Sequence, residues 1–153
     1  MPQRTLIILK PDAVQRRLVG RILSRFEDKG LKIVAAKFIH ISIELARKHY
    51  AVHKEKPFFD GVVRYLASSP SLVLVLEGDN VIDMTRKLMG KTFGIEAEPG
   101  TIRGDFGASQ RFNLVHGSDS PDSAAYEINL YFEPDEIVDY RTSDNEWVFG
   151  CSY

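Results

Sequence analysis

Asn113-Leu114-Val115-His116-Gly117-Ser118-Asp119 is the stretch best equipped for chemistry. Phe112, Leu114 and Val115 form a short apolar run that ends at His116, and Gly117 follows as a break in chain direction. Ser120-Pro121-Asp122 reads as a helix start, with Ser120 as N-cap, Pro121 at the first helical position and Asp122 in the first turn. His116 is thus expected at the end of a strand, on a tight turn, beside the positive end of a helix. Free N–H groups and the helix dipole favour phosphate at such a place. An imidazole of unperturbed pKa about 6.5 offers a neutral ring nitrogen at neutral pH, able to hydrogen-bond an anion or to attack it. A lone histidine is more commonly a satisfied structural group, so the rest of the chain has to decide.

Other elements must bring partners to that histidine. Thr5 to Leu9 is a continuous apolar run closed by Lys10-Pro11-Asp12 and reads as a buried strand, with Lys10 at its end facing solvent or a ligand. Asp12 to Lys29 carries a helical stripe of Val19, Ile22, Leu23 and Phe26, with Gly20 as a bend and Gly30 as the stop. Leu31 to Ile41 reads as a strand, and Ser42 caps a helix running to about Tyr50. Pro57 opens a short helix in which Phe58 and Phe59 cannot both face one core, so either both are core at different depths or one lines a groove as a platform for a flat ligand.

Ser71 to Leu76 is the second buried strand. The turn Gly78-Asp79-Asn80 leads into a helix with Val81, Ile82, Thr85, Leu88 and Met89 on one face and Arg86 at its edge, placed to point into a cleft. Gly90 to about Phe112 shows no periodicity and exceeds the roughly 12–15 residues usual for a structureless connection, so it reads as a functional loop. Its glycines (Gly94, Gly100, Gly104, Gly107) let backbone N–H groups approach an anion, and it holds Thr92 and Arg103. A fourth strand is expected over about Phe112 to His116. Pro121 to Phe132 is the last clear helix, with Ala124, Ile128 and Tyr131 buried. Glu127 sits at the edge of that stripe, a carboxylate in need of a partner, and His116 is the candidate. From Glu133 to Tyr153, turns and scattered aromatics (Tyr140, Trp147, Phe149, Tyr153) are expected to pack on the body or on another subunit.

A chain of 153 residues, 44% hydrophobic and 27% charged, reads as one soluble domain over 1–153. Its net charge of −1 gives no global field to draw nucleic acid or membrane, so any anion site must be local. The single Cys151 excludes an intramolecular disulfide framework and any Cys-based zinc pattern. The first apolar run is too short for a signal peptide or a membrane span, and a cytoplasmic location is expected. Gly90-Lys91-Thr92 looks like the end of a P-loop, but Thr85 stands where that motif needs a glycine. Asp105-Phe106-Gly107 lacks the His-Arg-Asp catalytic loop that a protein kinase would require.

With these residues in view, the chain resembles the nucleoside diphosphate kinase family. Asn113 to Asp119 matches the signature N-x-x-H-G-S-D around that family's phosphorylated histidine. Thr5 to Val14, Arg25 to Gly30, and Pro99 to Phe106 match in order, as does Ser118-Asp119-Ser120 followed by Ala124, Glu127 and Ile128. The resemblance implies an α+β fold: a ferredoxin-like βαββαβ sandwich, with a four-stranded antiparallel sheet and added helices. It implies γ-phosphate transfer from nucleoside triphosphates to nucleoside diphosphates by a ping-pong route through phosphorylated His116. Arg86, Thr92 and Arg103 match the phosphate-contacting positions, with His53 a lesser one. Lys10 and Asn113 match those at the sugar and the transferring phosphate, and Phe58, with Val62 beside it, the base-stacking position. Tyr50, Ser118 and Glu127 match the support around the histidine, with Glu127 holding the imidazole in one tautomer. Mg2+ held chiefly by substrate phosphates is implied, as is a homo-oligomer, a hexamer or a tetramer.

Two positions depart from the family pattern: Gly94, where many relatives have proline, and Phe112, where a basic residue is common and which is not expected to touch the chemistry. Two rival readings remain at this stage. One is a catalytically weak nucleotide- or nucleic-acid-binding module on the same fold. The other is a histidine phosphocarrier, which the apolar strand runs oppose.

Overall fold

The two continuous apolar runs form the middle of one sheet. A computed structural model describes residues 2–151. Strands β1 (Gln3–Leu9), β2 (Lys32–Ile39), β3 (Ser71–Gly78) and β4 (Val115–Gly117) pair in the order β2-β3-β1-β4. Every pairing is antiparallel. This is the βαββαβ arrangement of a ferredoxin-like fold. β1 and β3 are central and covered on both faces, which is why neither alternates polar with apolar residues.

Eight helices flank the sheet among the described residues: α1 (Pro11–Gln15), α2 (Val19–Asp28), α3 (Ile43–His49), α4 (Phe59–Leu66), α5 (Val81–Met89), α6 (Ile102–Phe106), α7 (Pro121–Tyr131) and α8 (Asn145–Phe149). Ile7, Leu9, Leu74 and Leu76 meet Ile22 and Phe26 of α2 and Val81, Ile82 and Met89 of α5 in one core. Leu6, Ile8, Val73 and Val75 face the other way, against Ala46 of α3, Val63 and Leu66 of α4, and Ile128 and Tyr131 of α7.

Three local expectations are corrected. The helix expected over Asp12 to Lys29 is two helices, and the break lies before Gly20, at Arg17 with φ +57°. Gly30, at φ +89°, ends α2 as expected. The region from Gly90 to Phe112 contains α6, capped by the Thr101 side chain accepting from Gly104 N–H at 3.0 Å. β4 begins at Val115, not near Phe112.

The loop glycines also do different work from that expected. A Cβ at Gly94 would lie 2.3 Å from the Gly107 carbonyl oxygen, and one at Gly104 would lie 1.9 Å from that of Glu98. They let the loop pack on its own backbone. We therefore expect Gly104→Ala to lower stability by about 1–3 kcal/mol, read as a fall in the urea midpoint at unchanged slope; an unchanged midpoint would contradict this contact. In the tail, Tyr140 Oη donates to Ile33 O and Phe149 packs on the first core, while Trp147 is 91% exposed. Tyr153 lies outside the described residues.

Candidate active site

Ile8 of β1 pairs with His116 of β4. Paired residues share a face, so His116 projects onto the side where α3, α4 and α7 pack. It stands in the middle of β4, and the tight turn lies before it. Gly117 continues the strand; a side chain there would meet Met89 Cε at 2.7 Å, so close packing explains the glycine. At the N-terminus of α7, Ser120 Oγ accepts from Ser123 N–H at 3.1 Å. Asp119 stands before it as a carboxylate held below its usual range, chiefly by a hydrogen bond from Ser123. The side chains of Lys10, Arg86 and Arg103 supply positive charge at this site.

His116 Nε2 lies 2.8 Å from Glu127 Oε1 on α7. The same oxygen accepts the Ser118 hydroxyl at 2.7 Å, and Leu6 N–H donates to Ser118 Oγ at 3.2 Å. With its hydroxyl proton on Oε1, Ser118 leaves Glu127 as an acceptor toward the ring. The imidazole then carries its proton on Nε2 and leaves the Nδ1 lone pair free. Burial, aided by Lys10 and Arg103, lowers the His116 pKa to about 3. Burial pushes the Glu127 carboxyl up. The contact is a hydrogen bond from a neutral imidazole, not an ion pair.

Sequence reasoning missed His49. It is buried on α3, its ring edge-on to that of His116 with centroids 4.5 Å apart. Its Nδ1 meets Tyr131 Oη at 3.1 Å and its Nε2 is buried without a hydrogen-bond partner. Burial first, then His116, holds its pKa well below the usual imidazole value. Its three-residue spacing from buried Ala46 was the available signal. The Tyr50 ring stands edge-on to His49, with centroids 4.7 Å apart; burial raises its hydroxyl pKa.

A cavity of about 730 Å³ opens over His116. Lys10, Tyr50, Phe58, Arg86, Thr92, Arg103, Asn113 and Glu127 line it, and Ser118 stands buried behind Glu127. Lys10 is buried, its Nζ donating to Asn113 Oδ1 at 2.8 Å; burial, then Arg103, lowers its pKa to about 7. Arg103 is less free than expected. Its Nε donates to Asn113 O at 3.1 Å, Nη1 to Gly90 O at 3.0 Å and Nη2 to Val115 O at 2.7 Å. It ties α5 and the strand of the histidine together, and burial, then Arg86, lowers its pKa to about 10. His53 stands 5.4 Å from Phe58, ring centre to ring centre.

A second cavity, of about 760 Å³, shares Lys10, Phe58, Val62, Thr92, Phe93 and Asn113 with the first. Phe58 is 49% exposed between the two, while Phe59 packs into the core. Phe112 borders this second cavity, in a T-shaped contact with Tyr65.

Residues 3–137 match the family model for nucleoside diphosphate kinase. A nucleoside diphosphate kinase of Methanobrevibacter smithii is 54% identical over 97% of this chain and 99% of its own length. One from Roseiflexus castenholzii is 52% identical over 96% and 99%. The halophilic nucleoside diphosphate kinase of Halobacterium salinarum, solved with CDP, superposes with a TM-score of 0.94 at 47% identity, covering 97% of this chain and 99% of that one. The enzyme of Borrelia burgdorferi, solved as a transition-state mimic with vanadate and ADP, gives 0.92 at 36% identity, with 98% of each chain covered.

Proposed function

Because the chain belongs to the nucleoside diphosphate kinase family, we propose that it transfers the γ-phosphate between nucleotides through a phosphorylated His116. The observation that carries this reading is the Nε2–Glu127 bond, which leaves Nδ1 unprotonated in a cavity walled by Lys10, Arg86 and Arg103. Nδ1 donates its lone pair to the γ-phosphorus, the bond to the β–γ bridging oxygen breaks, and the nucleoside diphosphate leaves with that electron pair. Glu127 stabilises the charge that develops on the ring. A second nucleoside diphosphate takes the phosphoryl group by the reverse step. Such transfer depends on in-line positioning and on neutralising oxygen charge, and Arg86, Thr92 and the cations beside them supply both.

The exposed Phe58 ring offers a stacking face for the base, and stacking is tolerant of base identity. Lys10 and Asn113 stand between base and phosphate, as contacts to the sugar and the transferring group. The CDP and ADP of the solved relatives support nucleoside di- and triphosphates as partners.

Among the described residues, the metal-capable cluster is His49, His116 and Glu127, richer in nitrogen than a magnesium site. Mg2+ therefore fits as an ion carried by the nucleotide phosphates, with Asp119 the carboxylate nearest in sequence to the nucleophile on the cavity wall. Bound there, it would neutralise charge on the phosphate oxygens.

A homo-oligomer, a hexamer or a tetramer, belongs to the same reading, supported by Phe38 at 61% and Trp147 at 91% exposure. So does action in the cytoplasm; no described helix is long and apolar enough to cross a membrane. The near-zero net charge opposes strong general nucleic-acid binding.

Initial-rate kinetics with two nucleotides test the route: parallel double-reciprocal lines are expected, and intersecting lines would exclude a ping-pong path. The pH dependence follows from the pKa shifts. With His116 at about 3, its rate of phosphorylation shows no acid limb near pH 6.5. With Lys10 at about 7 in the free protein, nucleotide affinity weakens as pH rises above 7, because only the protonated ammonium attracts phosphate. Lys10→Met should flatten that slope; a slope that survives would assign it elsewhere.

A further inference from the structure

The turn that precedes His116 is held in a conformation its own residues do not favour. Leu114 has φ +69°, in the left-handed region that branched and bulky side chains avoid. Val115 N–H donates back to Asn113 O at 2.7 Å, closing a three-residue γ-turn of the rare, strained hand. Such a conformation persists only where surrounding groups over-determine it.

Those groups are identifiable. Leu114 N–H donates to Asp12 Oδ2 at 3.1 Å, and Lys10 N–H donates to Leu114 O at 2.8 Å. Asn113 N–H donates to Tyr65 Oη at 3.3 Å, and Tyr65 Oη in turn donates to Asp12 Oδ1. Arg103 takes the carbonyls of Asn113 and Val115, and the Leu114 side chain is fully buried. Of the side chains on this turn, Asp12 and Tyr65 are the pair that holds its N–H groups. Neither has a part in phosphate transfer as described above.

We propose that Asp12 and Tyr65 are positioning residues: together they clamp the strained turn at Leu114 and so set the start and facing of β4. The proposal rests on His116 being the phosphate acceptor. Side chains alternate along a strand, so a turn that relaxed by one residue would swing His116 from the cavity toward the opposite core. The clamp thus acts on the geometry of transfer while leaving the Phe58 side of the cavity in place.

The test uses the full chain with Tyr65→Phe, Asp12→Asn and the double variant. Lys10 Nζ lies 5.2 Å over the centre of the Tyr65 ring, so Tyr65→Phe keeps that ring and removes only the hydroxyl. In single-turnover experiments with saturating nucleoside triphosphate and Mg2+, each single variant is expected to phosphorylate His116 about 10- to 100-fold more slowly than the parent. Nucleoside diphosphate affinity should stay within about threefold, and the double variant should be no slower than the worse single one, since both break one device. Single-variant rates within twofold of the parent, or losses that multiply in the double variant, would overturn the proposal.

Amide hydrogen exchange gives a second reading that needs no nucleotide. The Leu114 and Asn113 amides of the parent should be protected, and Tyr65→Phe should accelerate their exchange at least tenfold while β1 and β3 amides stay slow. Unchanged exchange would refute the clamp even if the Asp12 variant failed to fold. A parent protein that never took up phosphate would instead refute the functional reading.

Discussion

His116→Ala is expected to lower phosphoryl transfer by about 10⁴-fold or more, the scale seen when a covalent nucleophile is removed. The fold should survive, because the ring contributes one hydrogen bond to Glu127, and Ser118 Oγ remains on the same carboxylate oxygen at 2.7 Å. Nucleotide affinity should hold within a few-fold, because the cations that line the cavity lie on other elements: Lys10 after β1, Arg86 on α5 and Arg103 on α6. The split between lost turnover and retained binding is the informative result. Steady-state assays with calorimetric titration of a nucleoside diphosphate would measure it. Near-normal transfer in the alanine variant would remove His116 from the chemistry.

Arg103→Lys is expected to have the second-largest effect, on two observables at once. The guanidinium reaches three backbone carbonyls, of Asn113, Gly90 and Val115, from one planar group. An ammonium on a flexible stem cannot span that fork. Each hydrogen bond from a charged donor is worth about 1.5–3 kcal/mol, so losing two of them should lower stability by about 3–6 kcal/mol. Turnover should fall by about 10²-fold or more even at temperatures where the variant is folded, because the strand that carries His116 loses its tie to α5. Chemical denaturation beside kinetics at low temperature separates the two effects. Lost turnover with unchanged stability would make Arg103 a phosphate contact and little else.

The two parts of this structure that were easiest to read in the sequence share one cause. β1 and β3 are buried on both faces, so Leu6, Ile7, Ile8 and Leu9, and Val73 to Leu76, form unbroken apolar runs. Glu127 stood out because a carboxylate on a buried stripe must find a donor, and it lies on His116. What stayed hidden depends on tertiary context. A leucine at φ +69° leaves no signature in composition, and neither does the turn at Arg17. α6 has five residues, too few for a period to show. Asp12 read as a helix start and Tyr65 carried no sequence signal; their shared turn at Leu114 joins segments about a hundred positions apart in one case. The donors of Arg103 end on backbone carbonyls, which no side-chain motif records. The antiparallel character of the sheet came from the family resemblance and agrees with the pairing observed.

The central claim is that the free nitrogen of His116 becomes covalently phosphorylated. The protein would be incubated with nucleoside triphosphate and Mg2+, freed of nucleotide at alkaline pH, and read by ¹H–¹⁵N and ³¹P correlation spectroscopy. The account predicts a stoichiometric, acid-labile phosphorus bonded to Nδ1 of His116, with Nε2 still protonated against Glu127, and its complete loss on adding a nucleoside diphosphate. Phosphorus on Nε2, on another residue, or on no residue while transfer proceeds at full rate would contradict it.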